Sequence, residues 1–308
     1  MPAMADLSSP SSSVDLSRLP APTVVEQLDY ETVYAELLAY VQSPGVLPSF
    51  DATVDSDPAV KILQVFAWRE LIIRQRFNDR ARQTMVAYAT GSNLDQLGAL
   101  FGVTRLVVDA GDPTNGFPVV MESDDDLRER IVLSPESQSV AGPESAYIFH
   151  ARSVDGTIRD ASASSPAPGE VVVSILSRNG DGTASPEQIA AVGAKLATIE
   201  TNKLRPLTDF VTVASAEIVT YYIDADLTLL AGPDQTVVLA AAQASIAAWV
   251  DAGGKLGVDA VRAAITAALM VAGVQNLRLN QPPADVVVDK TQTAHCAGIA
   301  VRVSGVGA

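Results

Sequence analysis

The chain has 308 residues, of which 48% are hydrophobic, 19% charged and 5% aromatic, with a formal net charge of −15. That length allows two or three domains with ample core, and the composition excludes a disordered chain. The acidic balance argues against general nucleic-acid binding, and a single cysteine, Cys296, excludes an intrachain disulfide.

In chain order, residues 1–18 are Ser/Pro-rich and read as a flexible tail, and Pro20 and Pro22 stiffen the segment after it. No basic segment leads into an apolar core here, so no signal peptide is expected, and a cytoplasmic folding compartment fits best. Asp29 reads as the N-cap of a helix to about Gln42, with Tyr30, Val33, Tyr34, Leu37 and Val41 on its apolar side. The stretch 57–91 is the dominant element. Asp57 can cap it, Pro58 fits its first position, nothing inside breaks it, and Gly91 suits its end. That predicts a helix roughly 50 Å long at 1.5 Å per residue. Ile62, Phe66, Ile73, Phe77, Thr84 and Tyr88 fall near one line, while Val60, Val65, Trp68, Leu71 and Ile72 make other sides apolar. A helix apolar on several sides needs more than one partner to cover it. Asn93 can then cap a short amphipathic helix stopped at Gly102.

Residues 109–118 are Gly/Pro/Asp-rich and read as a loop. Ser123 and the acidic run Asp124, Asp125 and Asp126 open another helix, and a further helix is expected at 143–153. Strands are predicted at 158–163 and 170–177 around a Pro-x-Pro-Gly turn, then a helix at 185–200 and one or two strands across 210–230. Helices at 234–251 and 259–271 precede strands at 274–279, 285–289 and 298–303. No apolar run reaches the ~18 residues of a membrane span on this reading. The stretches from Ser153 and from Met270 echo each other, aligning Gly156 with Gly273 and Val171–Val173 with Val286–Val288. They are either a duplicated α-β-β unit or two hairpins with similar turns. The fold class is therefore α+β, with an N-terminal helical region containing one long helix. Expected boundaries are a tail at 1–18, a helical region at 19–107, and α+β domains at 108–220 and 221–308.

Chemistry is sparse. His150, His295 and Cys296 are too few for a zinc site, and the adjacent His295 and Cys296 point apart in a strand. The run Asp124–Asp126 could hold a divalent cation for a hydrolase, but helix capping accounts for it more simply. The turn 179–182 lacks the oxygen ligands of a calcium loop, and no phosphate-binding glycine pattern is present. Arg69, Arg74, Arg76, Arg80 and Arg82 could form a nucleic-acid stripe. Arg69, Arg76 and Arg80 fall beside the apolar line with Glu70 and Asp79 interleaved, which favours ion pairs within or between subunits. Arg74 and Arg82 suit a solvated face. No catalytic, metal or cofactor site is expected, and neither a nucleic acid nor a membrane is an expected partner.

Several stretches in one order carry a resemblance: LPAPTVVEQLDYETVYAE at 19–36, RELIIRQRFNDRAR at 69–82, GSNLDQLGALFGVTRL at 91–106, MESDDDLRERI at 121–131, and SVAGPESAYIFHARSVDGTIRDASASSPAPGEVVVSILSRNGDG at 139–182. Together with the strands from residue 211 and the ADVVVDKTQTAHC end, they resemble the baseplate assembly protein J family of contractile-tailed phages, particularly its P2-like branch. The resemblance implies a non-enzymatic wedge subunit of a phage tail, tail-like bacteriocin or related particle, related in role to the larger wedge protein of T4-like phages. Its implied partners are further copies of itself, other baseplate wedge proteins and the central spike and hub. Its implied place is the particle's baseplate, after assembly in the bacterial host cytoplasm. Read together with the long helix, it makes Ile62, Phe66, Arg69, Ile73, Arg76, Phe77, Arg80 and Tyr88 the candidate inter-subunit interface.

Overall fold

A computed structural model describes residue 16 and residues 29–112, 114–139, 142–197, 206, 208–232 and 234–307. The expected tail at 1–18, the proline pair after it and the last turn of the helix predicted at 185–200 lie outside these. The described residues form two compact units that meet in sequence at Leu100 and Phe101.

The helical unit holds α1 (Tyr30–Val41), α2 (Pro58–Arg82) and α3 (Gly91–Leu100). Both predicted N-caps form. The Asp29 carboxylate accepts from the Thr32 backbone N–H at 3.0 Å, and Asp57 accepts from that of Ala59 at 2.7 Å. These bonds satisfy amides that have no partner inside the helix. Val33 of α1 is buried, as are Val60, Leu63 and Ala67 on one side of α2. Arg74 of α2 reaches Glu36 of α1 at 3.2 Å and Glu70, one turn back, at 2.5 Å.

The long helix is shorter than its sequence predicts, 25 residues ending at Arg82 rather than Gly91. No proline or glycine stops it. The Gln83 side-chain carbonyl instead accepts from the Thr90 N–H at 3.0 Å and from the Asn93 amide at 3.1 Å. That folds residues 83–90 into turns, so Asn93 braces the turn instead of capping α3. Gly91, with φ +53°, opens α3. At 1.5 Å per residue, α2 runs roughly 37 Å.

The α+β unit starts with a small ribbon of β1 (Val107–Asp109) and β2 (Val120–Met121), where the sequence suggests only a loop. Next come α4 (Asp124–Leu133), a 3-10 turn at Ser134–Gln138, and α5 (Glu144–Arg152). The hairpin β3 (Ile158–Ser164) and β4 (Glu170–Ser177) follows, then α6 (Pro186–Ala197) and β5 (Phe210–Ser215). The first sheet has the order β3-β4-β5, with β4 antiparallel to β3 and parallel to β5. The parallel pairing requires a crossover, which α6 supplies. Tyr147 and Ile148 of α5 and Val192 and Leu196 of α6 pack on Val173 and Ile175 of β4.

Only Ala216, itself buried, separates β5 from β6 (Glu217–Leu229) of the second sheet. In β6, Tyr221, Ile223, Ala225, Leu227 and Leu229 alternate inward at the two-residue period of a strand. Two helices, α7 (Gln235–Gly253) and α8 (Arg262–Leu269), supply Val238, Ala242, Ile246, Ile265 and Leu269 to the same core. The strands β7 (Val274–Gln281) and β8 (Gln292–Val306) complete the order β7-β6-β8, antiparallel on one side and parallel on the other. At 19 residues α7 does reach the length and apolarity of a membrane span, contrary to the sequence reading, because its run continues past Asp251. Val238, Ala242 and Ile246 set it on the second sheet.

The segment predicted as a strand at 285–289 forms a single antiparallel bridge, Val286 with Ala260. Its neighbour Val288 donates its N–H to Asp259 at 2.9 Å. With β6 already beside β7, no hairpin like β3–β4 forms, and the two echoing stretches differ in strand pairing. Their aligned glycines do share a role in close packing. A Cβ on Gly156 would lie 2.3 Å from the Val107 carbonyl oxygen. Gly273, at φ +98°, leaves 2.7 Å to Val238.

Candidate assembly surface

The two faces of α2 differ in burial. Val60, Leu63 and Ala67 turn towards the interior of the helical unit, along with Asn78. At 100° per residue, Ile62, Phe66, Arg69, Ile73, Arg76, Phe77 and Arg80 fall together on the opposite side. All seven are exposed, Phe66 by 62% and Phe77 by 64%. A contiguous apolar patch of this kind marks a binding surface more often than scattered exposed residues do. Val65 and Trp68 widen it on one flank. Tyr88, expected at its end, lies instead in the turn after Arg82 and is half-buried, because the helix has already stopped.

The charges along α2 differ from their expected assignment. Arg74, read as solvated, is the residue held by Glu70 and Glu36. Arg69, Arg76 and Arg80 meet no carboxylate among the described residues. Glu70 is engaged with Arg74, and Asp79 lies off the stripe, accepting from Gln75 at 2.8 Å. The stripe is therefore apolar and cationic, with no counter-charge among the described residues.

In the α+β unit several arginines meet carboxylates of the same chain. Arg130 and Glu122, both buried, pair at 2.6 Å. Arg105 bonds Asp124 at 2.6 Å, Arg128 bonds Asp125 at 2.5 Å, and Arg178 bonds Asp126 at 2.9 Å. Each carboxylate of the acidic run thus faces a guanidinium, an arrangement that competes with a bound cation. Among the described residues no cluster of His, Cys, Asp and Glu could hold a metal. Arg152, only 5% exposed, bonds Glu129 at 2.9 Å, and Lys255 grips the same carboxylate from the loop after α7. Asp160 of β3 accepts from the Leu256 N–H at 3.0 Å, so this network joins the layer of the first sheet to that of the second.

Burial by itself would raise Asp126, but the Ser123 hydroxyl, Arg178 and Arg152 outweigh it and hold the carboxyl below its usual range. Glu129 behaves alike, with Arg152 and Lys255 overcoming its burial. Burial pushes the His150 imidazole down, with Lys195 acting in the same direction, and pushes the Cys296 thiol up. A neutral buried imidazole and a protonated thiol are what packing residues show. Missed by the sequence reading is a second exposed apolar patch, Val107, Phe117, Val119, Val120 and Met121, on the β1–β2 ribbon. The short apolar run Val119, Val120 and Met121 is its one local signal, masked by the Gly/Pro-rich residues before it.

Family models for the Baseplate J-like N-terminal, central and C-terminal domains match residues 55–112, 139–215 and 221–302. Baseplate protein J of Escherichia phage P2 is 42% identical over 299 residues, covering 95% of this chain and 98% of the relative. A chain of the 6-fold symmetrised cryo-EM structure of the anti-feeding prophage (AFP) baseplate is 13% identical with a TM-score of 0.40. That alignment covers 58% of this chain and 44% of the other, a likeness too distant to bear on the argument. Three domain matches in chain order and identity over nearly the whole length agree: the chain belongs to the baseplate J family.

Proposed function

We propose that this protein is a structural, non-enzymatic wedge subunit of a contractile-tail baseplate. It builds the ring around the central spike and hub, and it passes on the change that triggers sheath contraction. Membership of the baseplate J family supports a structural place in such a particle, whether phage or tail-like. The observation that carries the reading is the outward stripe of α2, where Ile62, Phe66, Ile73 and Phe77 stay exposed on a helix that is otherwise capped and packed. Leaving four large side chains in water forfeits about 1.5–3 kcal/mol apiece that a neighbouring subunit would recover. Copies of this chain and other baseplate proteins are the partners. The domain scheme is a helical assembly region followed by two α+β domains that make ring contacts.

The test is complementation of a particle-producing host with F66N/I73N/F77N. Assembly is expected to be abolished while the purified variant keeps the wild-type circular dichroism, since all three residues are exposed. Intact particles from the triple variant would overturn the proposal.

A further inference from the structure

Two asparagines of this chain are followed by glycine, Asn115 and Asn179. In such a pair the glycine nitrogen can close a five-membered ring on the asparagine carboxamide, since no Cβ obstructs its approach. Both pairs lie in exposed turns of the α+β unit, and neither glycine N–H has an acceptor among the described residues. The two side chains are held differently. Asn115 donates its carboxamide N–H to the Asp112 carboxylate at 2.6 Å, and its backbone N–H to the Asp112 carbonyl at 3.1 Å. The ring cannot close until that grip breaks, and the carboxylate opposes the negative charge that develops on the attacked amide. Asn179 is anchored only through its backbone. Its N–H donates to the Ser177 hydroxyl at 3.1 Å, and its carbonyl accepts from the Gly182 N–H at 3.2 Å. Its carboxamide bonds nothing among the described residues, so it is free to rotate onto the Gly180 nitrogen. Gly180, at φ +64°, has open space where a Cβ would stand.

We propose that Asn179 is a self-modification site, converting without an enzyme to aspartate and isoaspartate, while Asp112 protects Asn115 from the same reaction. The Gly180 nitrogen gives up its proton to solvent base and bonds to Cγ of Asn179. The Cγ–Nδ2 bond then breaks, and the nitrogen leaves as ammonia with protons taken from water. Water next opens the cyclic imide. Breaking the bond from the ring nitrogen to Cγ gives aspartate, and breaking the one to the main-chain carbonyl carbon gives isoaspartate. No oxidant or reductant is needed. Asn179 lies inside the loop closed by the Ser177 N–H and the Gly182 carbonyl at 2.9 Å, just beyond β4. Either product adds a negative charge to that loop, and isoaspartate also adds one carbon to its backbone. A Cβ on Gly182 would lie 2.6 Å from Leu176 and 3.4 Å from Ile218, two residues of the apolar contact between the sheets. The modification therefore falls where the first sheet meets the second.

The full chain is held in warm, mildly alkaline buffer, digested at intervals and mapped by mass spectrometry. A second sample is held in guanidinium chloride. In the folded chain the peptide with Asn179 is expected to gain the mass of an amide-to-acid change and to split chromatographically into two products of equal mass. It should do so at least about tenfold faster than the peptide with Asn115, the factor set by a charge-assisted hydrogen bond that must break first. In guanidinium chloride the two peptides should convert at about the same rate, since glycine follows both and the turns are gone. D112A should bring Asn115 of the folded chain towards the rate of Asn179 and leave Asn179 unchanged. N179Q should abolish the conversion at this turn, because glutamine must close a six-membered ring, which forms slowly. Asn179 that stays intact in the folded chain while the denatured sample converts overturns the inference. So does Asn115 converting as fast as Asn179 in folded wild type. Asn115 that stays slow in D112A overturns the protection by Asp112.

Discussion

In the α+β unit Arg105, Arg130, Arg152 and Arg178 each meet a carboxylate of the same chain, whereas Arg69, Arg76 and Arg80 of the helical unit meet none among the described residues. Burial marks the same division. Arg130 and Arg152 are enclosed, paired with Glu122 just before α4 and with Glu129 on α4. The stripe arginines project beside apolar side chains that are themselves uncovered. One unit therefore spends its ionic interactions on its own integrity. In the other, Arg74 and Lys61 pair within the unit, while Arg69, Arg76 and Arg80 stand on the face proposed above for assembly. The same residue type, in one chain, is bound into the fold in one place and left exposed on a proposed assembly face in the other.

The sharpest way to break this comparison is to remove a buried cation. Arg152→Met leaves Glu129 to Lys255 and Asp126 to Arg178, and should cost about 1.5–3 kcal/mol, the worth of the charge-assisted hydrogen bonds removed. Urea denaturation of the full chain measures it, and a loss below about 1 kcal/mol would remove the distinction between the units. Acid should act on the same network more gradually. Asp126 and Glu129 have lowered folded values, so their stabilisation is complete above their ordinary values of about 4 and is lost as pH falls through and below that range. Denaturation midpoints between about pH 5 and pH 3 should fall more steeply for wild type than for D126N/E129Q. Equal slopes would mean the network contributes no linkage. The smallest effect belongs to the stripe. Arg76→Gln in dilute protein should leave unfolding free energy within about 0.5 kcal/mol of wild type, as exposed sites without partners do.

Local chemistry was legible where a local group decides the structure. The carboxylates of Asp29 and Asp57 and the hydroxyl of Ser123 cap helices as their positions suggest. The hairpin β3–β4 and the outward line of α2 could likewise be read from spacing. Illegible were the outcomes set by distant partners. The stop at Arg82 depends on Gln83 reaching Thr90 and Asn93, which no helix-breaking residue announces. Val286–Val288 have the composition of a strand, yet β6 takes the place beside β7, so composition does not decide. The parallel pairings of β4 with β5 and β6 with β8 join segments far apart in sequence. Which arginines of α2 are paired also escaped the sequence, since Glu36 comes from another helix.

The direct passage from β5 to β6 has a mechanical meaning. A single residue, Ala216, leaves no slack between two sheets whose central strands each hold hydrogen-bonded neighbours on both sides. One extended residue spans at most about 3.6 Å, so the sheets cannot separate further at this point without unzipping a ladder. A pull on either sheet is therefore delivered to the other as displacement and not taken up by a loop. Such a joint is a short, inextensible link between the two sheets.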